Sequence, residues 1–553
     1  MKRNMKIYTS RFILFVLLIV LSSLYSSAQS LVVGSNQEDF YRRAQLLGIT
    51  DSTISFMIRP LINGTWEVGE NINSKTSARS KNDAEIRILP FSWQNQYTSH
   101  HAYGWNNGSM IPSKGYQGQI SGGIHIKNNF FSLQLKPELV FAENATFEEF
   151  PEDHYPIIWK WYYDNYNHID LPVRFGNSQY AKLNLGQSSL RFNHKNISVG
   201  LSTENLWWGP GIRNSLLMSN SAPGFLHLTL NTQKPIQTKI GSFEGQFIIG
   251  KLENSDFTPP DSAYLYRGTT IYAPKPNDNR SISGIVLTYQ PKWINGLFLG
   301  YSRTSQNYSK NLSKLKDYFP FFSSFNSYKA TQKTNTADQY TSLFFRWLFS
   351  EEHMEVYMEY GSNNQSKSFS EVLKDPNYGR AYIFGLRKLF PIRDGSSQLM
   401  TSFEITNLSQ SSTDIVNNVE GWYVDRNVRQ GYTNRGQMLG AGIGPGGNLQ
   451  SVDVSWVKGP KSIGLQLERY AHNLDFYYYA YIPSGDWRRS WIDLSVAAHG
   501  NWDFKQFIFN ASLNYIHSFN YGWYLLQTDP NVYLQRGRDA DNVQFQLGVA
   551  YKF

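Results

Sequence analysis

From about Arg87 to the C-terminus, apolar and polar residues alternate with a period of two. The last run, NVQFQLGVAYKF, shows it most clearly. Val543, Phe545, Leu547, Val549, Tyr551 and Phe553 fall on one parity, and Gln544, Gln546, Gly548, Ala550 and Lys552 on the other. A β-strand turns that period into one apolar face and one polar face. Leu89, Phe91 and Trp93 alternate in the same way with Pro90, Ser92 and Gln94. Gly118, Ile120, Gly122, Ile124 and Ile126 alternate with Gln119, Ser121, Gly123 and His125. Phe131, Leu133, Leu135, Leu139 and Phe141 then stand against Ser132, Gln134, Lys136 and Glu138. Charged side chains at such positions are costly against lipid but are at home in a wet lumen.

The connections alternate in length. Tight turns rich in Asn, Gly, Lys and Pro sit at 127–130, 193–196, 232–235, 290–296, 349–353, 390–397, 458–461 and 499–504. Long polar, aromatic-rich segments lie near 98–115, 142–180, 203–224, 251–281, 304–338, 361–379, 407–449, 471–489 and 517–542. Short turns at one rim and long loops at the other are the habit of outer-membrane barrels, which have an even strand number and an aromatic girdle. The breaks predict an all-β fold, a transmembrane antiparallel β-barrel of about eighteen strands over 85–553. A soluble sandwich array or propeller has the strands and turns too, but does not predict the short-long alternation.

The first 84 residues follow other rules. Lys2, Arg3, Lys6 and Arg11 precede or flank the apolar core Phe12–Leu21, and Ser26-Ser27-Ala28 is a small-residue cleavage site. Residues 1–28 therefore read as a signal peptide, with a core too short to span as a helix. Residues 29–84 read as an N-terminal helical periplasmic segment. Ser35 with Glu38 is a capping-box pattern, and Phe40, Ala44 and Leu47 recur at helical spacing until Gly48. A second short helical pattern covers Ile54, Met57, Ile58 and Leu61, with Pro60 as its breaker.

Composition narrows the chemistry. The 553 residues include no cysteine, which excludes disulfides, thiolate metal sites and lipoprotein anchoring. The mean hydropathy of −0.44 is too low for a bundle of membrane helices. Net charge falls from +9 to +5 once the four basic residues of the signal are set aside. That mild excess fits anionic lipid headgroups or an acidic polysaccharide, and no nucleic-acid partner is expected. His100 and His101 lack a third ligand at zinc spacing. Glu143, Glu148, Glu149, Glu152 and Asp153 match no calcium-loop spacing and read as a solvated loop. Glu355 and Glu359 share the lumen face of one strand and read as setters of lumen polarity. No catalytic, metal or cofactor site is expected.

Binding chemistry remains. The third long loop reads ENLWWGPGIRNSLLMSNSAPGF, with Trp207 and Trp208 beside a Gly-Pro-Gly turn and with Arg213 and Asn214 as donors. The seventh, GWYVDRNVRQGYTNRGQMLGAGIGPGGN, sets Trp422, Tyr423 and Tyr432 among Arg426, Arg429 and Arg435. Flat aromatic faces suit the C–H faces of sugar rings, and Arg and Asn suit hydroxyls and carboxylates. These ten residues are the expected ligand-binding set, displayed on extracellular loops. Interface girdle or loop packing is the alternative for any one aromatic.

Three segments carry a resemblance: HHAYGWNNGSMIPSKGYQ (His100 to Gln117), the WWGPG loop and RQGYTNRGQMLGAGIGPGGN. They resemble the capsule assembly Wzi family in the form met in the Bacteroidetes. The resemblance implies an eighteen-stranded outer-membrane barrel with an N-terminal helical element, lectin-like, which helps hold capsular polysaccharide at the cell surface. The expected partners are that polysaccharide, outer-membrane lipids and lipopolysaccharide, and the barrel-insertion machinery during biogenesis. The rival reading is a porin or substrate-specific channel, motivated by the charged inner face.

Overall fold

A computed structural model describes residues 30–62, 85–128, 130–259, 261–318, 337–363, 374, 376–392, 395–416, 419–482, 490–524 and 539–553. The signal at 1–28 and the polar stretch 63–84 lie outside the described residues. Among those described, eighteen antiparallel strands form one closed barrel. The first strand, Glu85–Thr98, closes against the last, Ala540–Tyr551, with Phe91 opposite Tyr551 and Thr98 opposite Gln544. Closure leaves the barrel sheet without an open edge among the described residues.

The alternation read from sequence sorts the two faces. On the closing strand Val543, Phe545, Leu547 and Tyr551 are exposed, while Asn542 and Gln544 are buried inside. Exposed aromatics gather in two belts. Trp293, Trp347, Trp502, Phe504 and Phe507 stand near the short turns, and Tyr97, Tyr116, Tyr515 and Phe519 near the long loops. Such belts mark the two lipid headgroup levels.

Two departures from strict alternation are local. Leu89 does not share a face with Phe91 and Trp93: it is buried, while Ile86 stands outside. The ladder slips between Leu89 and Ser92, where Pro90 has no N–H to donate, and the bulge shifts the parity by one. The third strand is likewise split into Phe131–Leu135 and Glu138–Ala142 around Pro137, and the fourth into Tyr180–Asn184 and Ser189–His194. The turn expected at 499–504 is strand, Ile492–Phe504, and the reversal comes at Lys505-Gln506 with Lys505 at φ 54°.

The N-terminal segment sits in the barrel mouth on the short-turn side. Helix α1 (Asn36–Leu46) starts at Ser35, whose hydroxyl accepts the Glu38 N–H, and stops before Gly48 at φ 72°. Leu46 packs on Leu348, Leu389, Met400 and Val457 of the wall. The second helical pattern is corrected: Ile58–Arg59 is a two-residue strand. Ile54, Phe56 and Leu61 are buried together with Leu31, so tertiary packing overrides the local spacing.

The opposite rim is capped by the long loops. They carry α2 (Pro156–Tyr166) and α3 (Leu474–Tyr481), which bury Trp159, Tyr162 and Tyr163 against Phe476, Tyr481 and Trp523.

Candidate functional site

The WWGPG loop does not reach outward. It folds back into the lumen, where Trp207 and Trp208 pair antiparallel with Arg59 and Ile58. Both indoles are buried, at 2% and 0% exposure. The Trp208 Nε1–H donates to Gln246 at 2.9 Å. Gly209 has φ 124°, and a Cβ there would stand 2.7 Å from the Glu359 carboxylate, so only glycine fits.

Carboxylates on the inner face of the wall hold this loop. Glu404 accepts the backbone N–H groups of Ile212, Arg213 and Asn214 at 2.7, 3.1 and 2.9 Å, and the Tyr357 hydroxyl at 2.8 Å. Glu359 accepts the Leu216 N–H and the Ser342 hydroxyl. Glu468 binds the Arg213 guanidinium through both oxygens, at 2.8 and 2.9 Å. From the other side, Arg42 donates to the Pro210 carbonyl, and Arg59 to those of Gly209 and Gly211.

The same arginines tie α1 to the wall. Glu355 lies between Arg42 at 3.0 Å and Arg346 at 2.5 Å, with all three side chains buried. Arg59 pairs with Glu38 at 2.6 Å. Asp39 meets Arg43 at 2.7 Å and Arg387 at 2.8 Å. Burial pushes the Asp39 carboxyl up, but the two guanidinium groups outweigh it and hold it well below the usual range. Glu355 and Glu359, read from sequence as setters of lumen polarity, are anchors for the plug.

The seventh loop is likewise packed inward. Trp422, Tyr423 and Tyr432 are buried around Tyr340. Their polar atoms are used: Trp422 donates to Gly379, Tyr423 to Leu216 and Tyr432 to Thr304. Arg429 donates to the carbonyls of Asn167, Ala273 and Pro274, and Arg435 pairs with Glu253 and Asn184. Arg426 alone of the ten is exposed, beside Glu420. The display of Trp207, Trp208, Trp422, Tyr423 and Tyr432 to solvent is therefore corrected. Large aromatics beside self-satisfied turns pack a core more cheaply than they stand in water. Asn214 is buried too, and Arg213 borders a cavity inside the lumen.

A different set of residues forms a concave site at the long-loop rim. A cavity of about 270 Å³ opens among six of the long loops. Trp105, Tyr166, Phe476, Trp491, Tyr521 and Trp523 give it aromatic walls; Asn107, Asn165, Gln437, His472 and Asn473 give it polar ones. Trp491 stacks on His472, ring centres 3.7 Å apart and planes 10° apart. Asp493 fixes both, accepting from Trp491 Nε1 at 2.9 Å and meeting His472 Nε2 at 2.7 Å.

Three ring nitrogens around this cavity are buried and have no partner among the described residues: Trp105 Nε1, Trp523 Nε1 and His101 Nε2. Burial drops the His101 imidazole to about 3, so the ring is neutral. An unmet buried donor costs about 1–3 kcal/mol, which an incoming acceptor recovers. Aromatic planes with unmet donors between them suit a ring bearing both C–H faces and hydroxyls.

The profile of the family described as Capsule assembly protein Wzi matches residues 101–507. The chain belongs to the capsule assembly Wzi family. Among solved structures it resembles the Escherichia coli Wzi, an outer-membrane protein involved in group 1 capsule assembly and a carbohydrate-binding β-barrel. The TM-score is 0.60 at 13% identity, covering 95% of this chain and 100% of that one. Acinetobacter baumannii OccAB4 gives a TM-score of 0.39 at 10% identity, covering 86% of this chain and 99% of that one. No curated protein sequence matches.

For this Wzi-family barrel, the WWGPG segment is thus a plug element. The sequence offered no periodic signal for the cavity, because its walls come from separate loops.

Proposed function

We propose that this outer-membrane barrel binds capsular polysaccharide at its long-loop rim and so helps assemble or retain the capsule. It is not an enzyme. The long loops face the outside of the cell and α1 faces the periplasm. The sugar lies in the aromatic cavity, against Trp491, Tyr521 and Trp523, where the Trp105 and Trp523 N–H groups donate to hydroxyl oxygens and His101 Nε2 pairs with a further hydroxyl.

One observation carries this reading: three residues that line one aromatic cavity carry buried ring nitrogens with no partner among the described residues. The carbohydrate binding of the E. coli Wzi supports the ligand class. Of the ten residues singled out in the third and seventh loops, Arg213 lies over Trp105 of the cavity wall and Arg426 is exposed beside Glu420. The three segments quoted above support a Bacteroidetes form of the family. The charged inner face that motivated a porin reading is in part taken up by α1 and the WWGPG loop, which Glu355 and Glu404 hold.

The test is binding of the purified barrel to surface polysaccharide from the cells that make it. Trp105→Phe with Trp523→Phe keeps the stacking planes and deletes both donors. Affinity is expected to fall by roughly tenfold or more, at about 0.5–1.5 kcal/mol per hydrogen bond. Unchanged affinity in that double variant removes the cavity from the reading.

A further inference from the structure

Behind the cavity, the plug leaves part of the lumen open. α1 and the WWGPG loop are held by Glu355, Glu359 and Glu404 on one side of the barrel. Two cavities of about 380 and 460 Å³ run from Arg387 and Glu404 along the inner faces of the last strands to the first ones. They share Ser35, Asn36, Asn107, Asn501, Ser512 and Gln546, so they adjoin along that wall. The aromatic cavity above shares Gly104, Trp105 and Asn107 with the first of them. Both volumes lie in the roughly 300–1,000 Å³ range of small-ligand sites.

The lining is amide and hydroxyl: Gln94, Gln119, Ser462, Asn501, Asn510 and Ser512 among others. Its charged groups already have partners. Arg213 pairs with Glu468 and Arg387 with Asp39, His499 Nε2 meets the Asp453 carboxylate, and Glu404 accepts three backbone N–H groups. The Asn514 carbonyl oxygen is buried without a partner among the described residues. Amides and hydroxyls donate and accept alike, so such a wall matches a polyhydroxylated chain better than an ion or a lipid tail.

We propose that this lumen space is a second carbohydrate subsite, which takes the end of the chain held in the aromatic cavity. Trp105 forms the wall between the two, with the Arg213 guanidinium over its face at 5.3 Å. The barrel then holds a chain by its terminus as well as by its flank, which distinguishes long chains from short ones. This inference rests on the rim-binding reading above.

The chain has no cysteine, so a single introduced thiol reports one position. Ser512→Cys places it in the lumen space and Asn165→Cys in the aromatic cavity. Asn501→Cys repeats the lumen measurement from another strand, should Ser512→Cys fold poorly. The full-length barrel in detergent is labelled with a hydrophilic maleimide, with and without a length ladder of fragments from partial acid hydrolysis of the surface polysaccharide. Both sites are expected to label. Long fragments are expected to slow both by about tenfold, the fraction unbound near ten times the dissociation constant. The shortest are expected to slow only Asn165→Cys. Protection of Asn165→Cys with no length of fragment protecting the lumen thiol overturns the second subsite and leaves rim binding intact. Protection at neither position overturns both. A lumen thiol that labels only after denaturation shows a dry space and also overturns the subsite.

Discussion

Arg59 lies over the indole of Trp207, with its guanidinium carbon 4.6 Å from the ring centre. The same group pairs with Glu38 in α1 and donates to the carbonyls of Gly209 and Gly211. One side chain therefore joins the N-terminal segment to the WWGPG loop, two pieces that meet only inside the barrel. Replacing it should loosen both. For Arg59→Met, the buried Glu38 charge loses its partner, a cost of about 3–5 kcal/mol. The expected outcome is a lower thermal unfolding midpoint and a higher ion conductance in planar bilayers than wild type. Arg59→Lys keeps the charge but not the fork, and should fall between the two.

Gly209 should tolerate no side chain. Its φ of 124° is strained for any L residue, and the new Cβ would press on the Glu359 carboxylate at 2.7 Å. Gly209→Ala is expected to destabilise the protein by roughly 1–3 kcal/mol. Gly268 also has a positive φ, 78°, but nothing lies within 4 Å of its Cβ position. Gly268→Ala should therefore cost less, and thermal unfolding of the two variants side by side measures the joint cost of the more strained φ and the Glu359 contact at Gly209.

The barrel was legible because lipid enforces it. Every strand must present apolar side chains outward, so Val543, Phe545 and Leu547 advertise their face in sequence. The strand count followed from turns that must be short on one side. Leu89 was misplaced because a single bulge at Pro90 inverts parity without changing composition. The site was less legible for a different reason. Trp207 and Trp208 look the same in sequence whether they face a sugar or a plug. Their fate is set by Glu359 and Glu404, which lie some 150 to 200 positions later in the chain. The rim cavity draws His101, Tyr166, Trp491 and Trp523 from four loops, and no local pattern joins them.

That difference separates two groups of tryptophans by experiment. Trp207→Ala or Trp208→Ala empties a fully packed position and should cost about 3–5 kcal/mol of stability. Polysaccharide binding should fall only as far as the protein unfolds. Trp491 is only partly buried, packed against His472 and Trp523 at the cavity. Trp491→Ala should weaken polysaccharide binding by roughly tenfold, a loss of about 1.4 kcal/mol, with the barrel's thermal midpoint nearly unchanged. The reverse pattern, stable Trp207→Ala protein that no longer binds, would return the site to the third loop.

Asp475 gives the long-loop cap a pH dependence. It is the second residue of α3, buried, and accepts the Gln410 N–H at 2.8 Å. Burial, with Asp414 nearby, pushes its carboxyl up to about 7. The unfolded carboxyl titrates near pH 4. Between those values the folded cap holds a proton that the unfolded chain has released, so folding is favoured by acid. This contribution is complete below about pH 4, falls as pH rises, and is gone above about pH 7. Amide exchange in α2 and α3 should accordingly slow, after correction for intrinsic rates, as pH is lowered from 7 toward 5. Asp475→Asn cannot ionise and should keep the protection of the acid form throughout. If wild type and Asp475→Asn show the same corrected profile, the carboxyl is ionised across the range and the cap owes it nothing.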